Sequence, residues 1–259
     1  MRSIQVWAAA AATLLLLAGC TREMKTAVAS GEGEVPFRAG SDVSMNYDYS
    51  IEYITGGVPE EVQDRINRRI ISEEIFYEGD VTGVDVPMAC SQWEEKIIAG
   101  YKSDAEDLAG EFDADEDSWM FNWEFSMSGA FTSSCKARNL QTYSCIDQQY
   151  TGGAHGMFAQ TCWVFDMTTG ELVELDDLFV KDFEEDEDVS DLLCERILEL
   201  IDDEYGADAL FGPPYPNANF SVDEEGVTWL YNPYEIAPYA MGVLEAKLTW
   251  EELKPYLKN

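Results

Sequence analysis

The sequence predicts an α+β protein: a small N-terminal α/β subdomain followed by a mostly antiparallel sheet packed with helices. Three observations point there. Apolar residues alternate with polar ones over several short stretches, as half-buried strands require. Elsewhere they recur at three- and four-residue spacing, the stripe of an amphipathic helix. The two patterns mix along the chain without regular βαβ alternation, which makes α+β the expected class. Hydrophobic residues make up 46% of the 259 residues and aromatics 12%, against a net charge of −35. That is enough apolar surface for a folded core under an acidic coat.

The chain opens with a leader. Arg2 gives a basic start, Ile4 to Leu17 is almost unbroken apolar sequence, and Leu17-Ala18-Gly19-Cys20 brings small residues up to a cysteine. Residues 1–19 read as a signal peptide and Cys20 as the residue acylated after cleavage. Each buried methylene of its acyl chains contributes about 0.8 kcal/mol of membrane affinity. The apolar run is shorter than the ~20 residues that span a bilayer. The expected location is extracytoplasmic and lipid-anchored, on the outer membrane if the cell has two, because Thr21 rather than Asp follows the cysteine. Residues 20–40, rich in Thr, Ala, Gly, Ser and Glu, read as the lipidated cysteine and a flexible tether of about 25 Å.

Residues 41–112 form the expected N-terminal α+β subdomain. Val43 to Ile54 alternates as a strand ending at Gly56-Gly57. Pro59 opens a helix with Glu60 and Glu61 in its first turn, Val62, Ile66 and Ile70 on its inner face and Gly79 at its close. Trp93, Ile97 and Tyr101, four apart, place a second helix over about Gln92–Leu108. Residues 113–259 form the expected C-terminal domain. Trp119, Phe121, Trp123, Phe125 and Met127 alternate as one strand face, and strands follow over Leu140–Tyr150 and Gly156–Met167. Between these two lies a turn with Gly152, Gly153 and Gly156, suited to positive φ angles. Val189, Leu192, Leu193, Ile197, Leu200 and Ile201 make the clearest helical stripe, ended by Gly206. Short strands near Phe220, over Val227–Tyr231 and over Val243–Leu248 precede a last helix at about Trp250–Tyr256.

Five cysteines follow Cys20, an odd number outside the cytoplasm, so at least one thiol is left over. A hairpin symmetric about Gly152-Gly153 sets Cys145 opposite Cys162, close enough for a disulfide; a one-residue slip breaks that alignment. No spacing resembles a zinc site. Acids at Asp113, Asp115, Asp117 and Glu124 echo a calcium loop, but Ser118 stands where such a loop needs Gly. A solvated acidic loop is the reading, with no metal and no cofactor. The lone histidine, His155, has no nucleophile elbow for a triad, and no motif selects two of the 51 acids as a catalytic pair. No catalytic residue is assigned. Tyrosine follows proline at Tyr215, Tyr234, Tyr239 and Tyr256, and Tyr234 and Tyr239 are expected to pack against the sheet.

Tyr150-Thr151-Gly152-Gly153-Ala154-His155-Gly156, then Phe165-Asp166, Thr169-Gly170 and Leu175-Asp176-Asp177-Leu178-Phe179, resemble the extracellular domain of RsiV-type anti-sigma factors. Tyr231-Asn232-Pro233-Tyr234-Glu235-Ile236-Ala237-Pro238-Tyr239-Ala240 with Gly242 fits the second hallmark of that family. The resemblance implies a non-catalytic ectodomain; one relative binds lysozyme and another precedes a peptidoglycan deacetylase. Gly152, Gly153, His155, Gly156, Tyr234, Glu235, Pro238 and Tyr239 are then expected to organise the fold. No lysozyme-contacting residue carries over. The chain shows neither a sigma-binding segment nor a transmembrane helix, so signalling by cleavage is not expected.

The expected function is therefore a tethered envelope module binding a protein or cell-wall glycan, with lysozyme or another cationic hydrolase as the sharpest partner. The charge repels nucleic acid and favours cationic partners at long range. Two alternatives are an assembly or structural lipoprotein, and a wall-glycan hydrolase using paired carboxylates.

Overall fold

The computed structural model describes residues 23–38, 41–75, 80–114, 116–201 and 209–258. The expected signal peptide and Cys20 lie outside the described residues. The architecture is mixed α+β, with a five-stranded sheet in the order β1-β2-β3-β4-β5 and a three-stranded antiparallel sheet β6-β7-β8.

The first sheet starts inside the stretch expected to be a tether. β1 (Lys25–Pro36) pairs antiparallel with β2 (Ser44–Gly56). Its glycines misled the composition reading. Gly31 lies opposite Tyr49 and Gly33 opposite Tyr47, and a Cβ at Gly31 would come within 2.6 Å of the Tyr49 ring. The glycines are gaps that tyrosine rings fill, the cross-strand rescue that lets glycine persist in a sheet. β2 then pairs parallel with β3 (Trp123–Cys135), so one sheet crosses the expected boundary between residues 112 and 113.

Helices fill the crossover between β2 and β3. α1 (Glu60–Arg69) carries Glu60 and Glu61 in its first turn and Arg68 and Arg69 in its last, matching the helix dipole. It runs into a π-helical turn over Ile70–Glu74 rather than on to Gly79, which lies outside the described residues. The wider turn buries Ile70, Ile71 and Glu74 together. α2 (Val86–Leu108) starts earlier than its apolar spacing suggested, because the Asp85 carboxylate accepts the Met88 amide at 2.9 Å and Pro87 sits in the first turn. The expected strand from Trp119 is corrected: Ser118–Phe121 is a short helix, α3. Phe121 is buried while Trp119 is 50% exposed, so they do not share a strand face. The Tyr101 hydroxyl donates to the Phe121 carbonyl at 2.9 Å and holds this turn under α2.

β4 (Leu140–Tyr150) and β5 (Met157–Asp166) form the predicted hairpin, one residue out of the expected register. Cys145 pairs with Thr161 and Ser144 with Cys162. Seven residues, an odd number, separate the last paired residues Gln149 and Met157, so the two cysteines point to opposite faces, and both are free thiols. The expected Cys145–Cys162 disulfide is thereby excluded.

Beyond β5 come α4 (Leu175–Leu178), α5 (Glu187–Leu198), β6 (Phe220–Val222), β7 (Gly226–Tyr231), β8 (Leu244–Thr249) and α6 (Trp250–Leu253). Val189, Leu193 and Ile197 of α5 pack on Trp229, Ala246 and Leu248 of the small sheet. Leu200, expected on that stripe, is 62% exposed, and Gly206 lies outside the described residues. On the large sheet, one face packs under α1 and α2 through Ile51, Met127, Tyr143 and Cys145. The other meets β6, where the buried Thr142 hydroxyl both accepts the Val222 amide (3.0 Å) and donates to its carbonyl (3.2 Å). Edge strand β5 is sealed by side chains. Asn232 binds the Gln160 amide (2.8 Å) and carbonyl (3.0 Å), and Asn219 binds the Cys162 amide (2.9 Å). Edge groups that would template pairing with another chain are thus occupied.

Candidate functional site

The two sequence motifs meet in space. His155, in the β4–β5 loop, stacks on Tyr239 with ring centroids 4.2 Å apart and an interplanar angle of 22°. Its Nδ1 lies 2.8 Å from the Gly156 carbonyl oxygen. A carbonyl only accepts, so Nδ1 carries a proton toward it, and Nε2 lies 3.4 Å from the Tyr234 hydroxyl. The Tyr234 and Tyr239 centroids are 5.6 Å apart. His155 thus joins two tyrosines of one distant segment in a single surface cluster.

That cluster corrects one expectation. Tyr234 is 52% exposed, His155 is exposed and Tyr239 is half-buried, so neither tyrosine packs in the core. Glu235 and Pro238 are exposed too, and within this segment Tyr231 and Ala237 supply the buried contacts. Tyr234 also has φ 72°, a left-handed conformation that costs a non-glycine residue about 1–2 kcal/mol. The turn holds it there: the Tyr234 amide donates to the Ala237 carbonyl at 3.0 Å, and the Glu235 carboxylate accepts the Asn232 amide. Asn232 is the residue bound to β5, so the cluster is tied to the sheet edge. Gly152 (φ 93°) and Gly153 (φ 102°) give the opposing loop the positive φ values that its sequence predicted.

Beside the cluster runs a groove between α2 and the sheet. Trp93, Ile97, Gly100 and Tyr101 form one wall and Trp123 and Phe125 the floor, around about 540 Å³. It extends over Phe125, Asp147, Met157, Ala159 and Thr161 through a further 480 Å³ or so. Asp104, Asp107 and Glu111 border its outer end. Lys96 is the one cationic side chain in these walls. Trp93 was predicted as a helix-face residue and Phe125 as a strand-face residue; the groove between them was not. Past Met157 and Phe158 the groove opens into a third hollow of about 440 Å³, lined by Glu124, Gln148, Gln149, Tyr150 and Tyr239.

The buried thiols are held neutral. Burial pushes the Cys90 thiol up to about 12 and Cys162 to about 11, and Cys145 is raised further by burial and the neighbouring Glu74. Such thiols are protonated at neutral pH and poor nucleophiles. Glu74, 2% exposed in the π-helical turn, is pushed up to about 8 by burial first and the Asp147 charge second. Burial lifts Asp147 itself to about 6. Among the described residues no three His, Cys, Asp or Glu side chains are grouped to hold a metal ion. The calcium-like stretch closes on itself, the Asp117 amide donating to the Asp113 carbonyl at 2.7 Å, while Asp115 lies outside the described residues. No described helix is long and apolar enough to cross a membrane.

Residues 176–251 match a family described as "Protein of unknown function (DUF3298)". The chain resembles the crystal structure of a DUF3298 family member from Bacteroides fragilis NCTC 9343 with a TM-score of 0.79 and 24% identity, covering 92% of this chain and 95% of that one. A DUF3298 family protein from Pseudomonas aeruginosa PAO1 matches with a TM-score of 0.65 and 16% identity over 92% and 96% of the two chains. At these identities the likeness shows a shared fold. No curated protein matches the chain.

Proposed function

We propose that this DUF3298-like chain is a non-catalytic, lipid-anchored binding module of the cell envelope, and that its groove takes a cationic protein, with lysozyme as the sharpest candidate. The groove carries the reading: half-buried Trp93 on its wall and Trp123 and Phe125 on its floor, with Asp104, Asp107, Glu111 and Asp147 around them. Aromatic anchors in a desolvated cleft supply most of the energy of protein recognition, and complementary charge supplies encounter rate and register. A net charge of −35 draws a basic partner from a distance. The resemblance of the two motif segments to RsiV-type ectodomains supports the lysozyme assignment, and the leader ending at Cys20 supports the anchor.

Titration calorimetry of the purified mature chain with lysozyme, at low and physiological salt, tests this. Stoichiometric binding is expected, weaker but present at physiological salt, and at least tenfold weaker after Trp93→Ala, since a buried aromatic hot spot is worth about 2 kcal/mol or more. Absence of binding in both salts would move the assembly-lipoprotein reading to first place.

A further inference from the structure

We propose that the hollow beside the His155–Tyr239 stack is a carbohydrate subsite, taking one pyranose ring of a glycan strand. It goes beyond the protein-binding groove, which it adjoins at Met157 and Phe158. Its volume of about 440 Å³ lies within the ~300–1,000 Å³ range of small-ligand sites.

Three features of the site fit a sugar. The first is a rigid aromatic ledge. Tyr239 is backed by the imidazole at 4.2 Å, and the imidazole is fixed through Nδ1 to the Gly156 carbonyl. Tyr234 stands beside them in a strained turn that keeps its ring in solvent. Pre-set rings lose little entropy on meeting a flat ligand. A pyranose presents such a face in its axial C–H groups.

The second is an uncommitted amide. Gln148, near the end of β4 and on the same sheet face as Glu124 and Tyr150, is exposed and lines the hollow, and its side chain makes no hydrogen bond among the described residues. A carboxamide offers a donor and an acceptor side by side, as neighbouring sugar hydroxyls do. The third is the charge balance. Glu124 is the one carboxylate in the lining, whereas the groove carries four acids on its rim and floor. A cation stripped of water needs converging carboxylates, and a neutral sugar does not. The observations therefore favour a sugar over an arginine or lysine side chain stacked on the same rings.

The test is titration of the full chain with the β-1,4 tetramers of N-acetylglucosamine and of glucose, at low and high salt, beside a tetra-arginine peptide. Binding of at least one sugar is expected, unchanged by salt. It should fall about tenfold in Tyr239→Ala, the scale of one aromatic contact, and about threefold or more in Gln148→Ala. Gln148→Ala changes only an exposed side chain and so guards against a folding defect in Tyr239→Ala. Binding of neither sugar would overturn the proposal, as would sugar binding indifferent to both variants. Salt-sensitive, Tyr239-dependent binding of the peptide without sugar binding would reassign the site as a cation–π anchor. Because lysozyme binding is measured through Trp93→Ala, loss of either reading leaves the other standing.

Discussion

Replacing Glu74 by glutamine should stabilise this protein increasingly as pH rises above about 4.5 and leave it unchanged below that. The carboxyl sits in the π-helical turn at 2% exposure against the Cys145 thiol, with Oε1 lacking a hydrogen-bond partner. Its folded pKa of about 8 stands above the ordinary 4.5. The native state therefore holds a proton that the unfolded chain has released over this interval, and stability falls as pH rises. Below pH 4.5 both states are protonated and no penalty exists. Between the two values the native state loses about 1.4 kcal/mol per pH unit relative to the unfolded chain, and above pH 8 the penalty levels off at about 5 kcal/mol. Glutamine keeps the shape and removes the titration. Urea unfolding of both proteins from pH 4.5 to 8.5 gives the difference directly. General repulsion among the surface acids acts on both and cancels. The difference should be near zero at pH 4.5 and reach about 4 kcal/mol in favour of the variant by pH 7.5. Parallel stability curves across that range would refute a buried, protonated Glu74.

Two further outcomes are expected. Gly31→Val should lower stability by about 1–3 kcal/mol in thermal unfolding, because its side chain enters the space of the Tyr49 ring. Asn219→Ala should cost about 1–3 kcal/mol by leaving the Cys162 amide without its partner and the Gln160 carbonyl with Asn232 alone. The opened β5 edge should also make that variant self-associate in concentration-dependent gel filtration.

Much of the fold was legible where structure is set locally. β2, β4 and the strands of the small sheet follow apolar alternation, and α5 follows its stripe up to the Asp186 cap. Local pattern failed where the partner decides. β1 looked like a linker because Gly31 and Gly33 report flexibility when read alone, and a tyrosine socket only beside β2. The Cys145–Cys162 pairing failed by one residue because loop parity is invisible to alternation. The candidate site was half-legible: both motif segments stood out, but their meeting joins positions 79 residues apart, and no spacing rule spans that distance. The groove was hidden for the same reason, since Trp93 and Phe125 come from elements each readable alone.

The parallel pairing of β2 with β3 fixes an order of assembly. The β1–β2 and β3–β4–β5 ribbons close through neighbouring strands, but Asp48 and Ser126, bonded across the parallel seam, are 78 residues apart. Closing so long a loop costs more chain entropy than closing the local hairpins, so it is expected after them. While that seam is open, β2 and β3 each expose an edge carrying Tyr47, Ile51, Phe125 and Met127. The seam that joins the two halves is thus the step at which a chaperone would matter most.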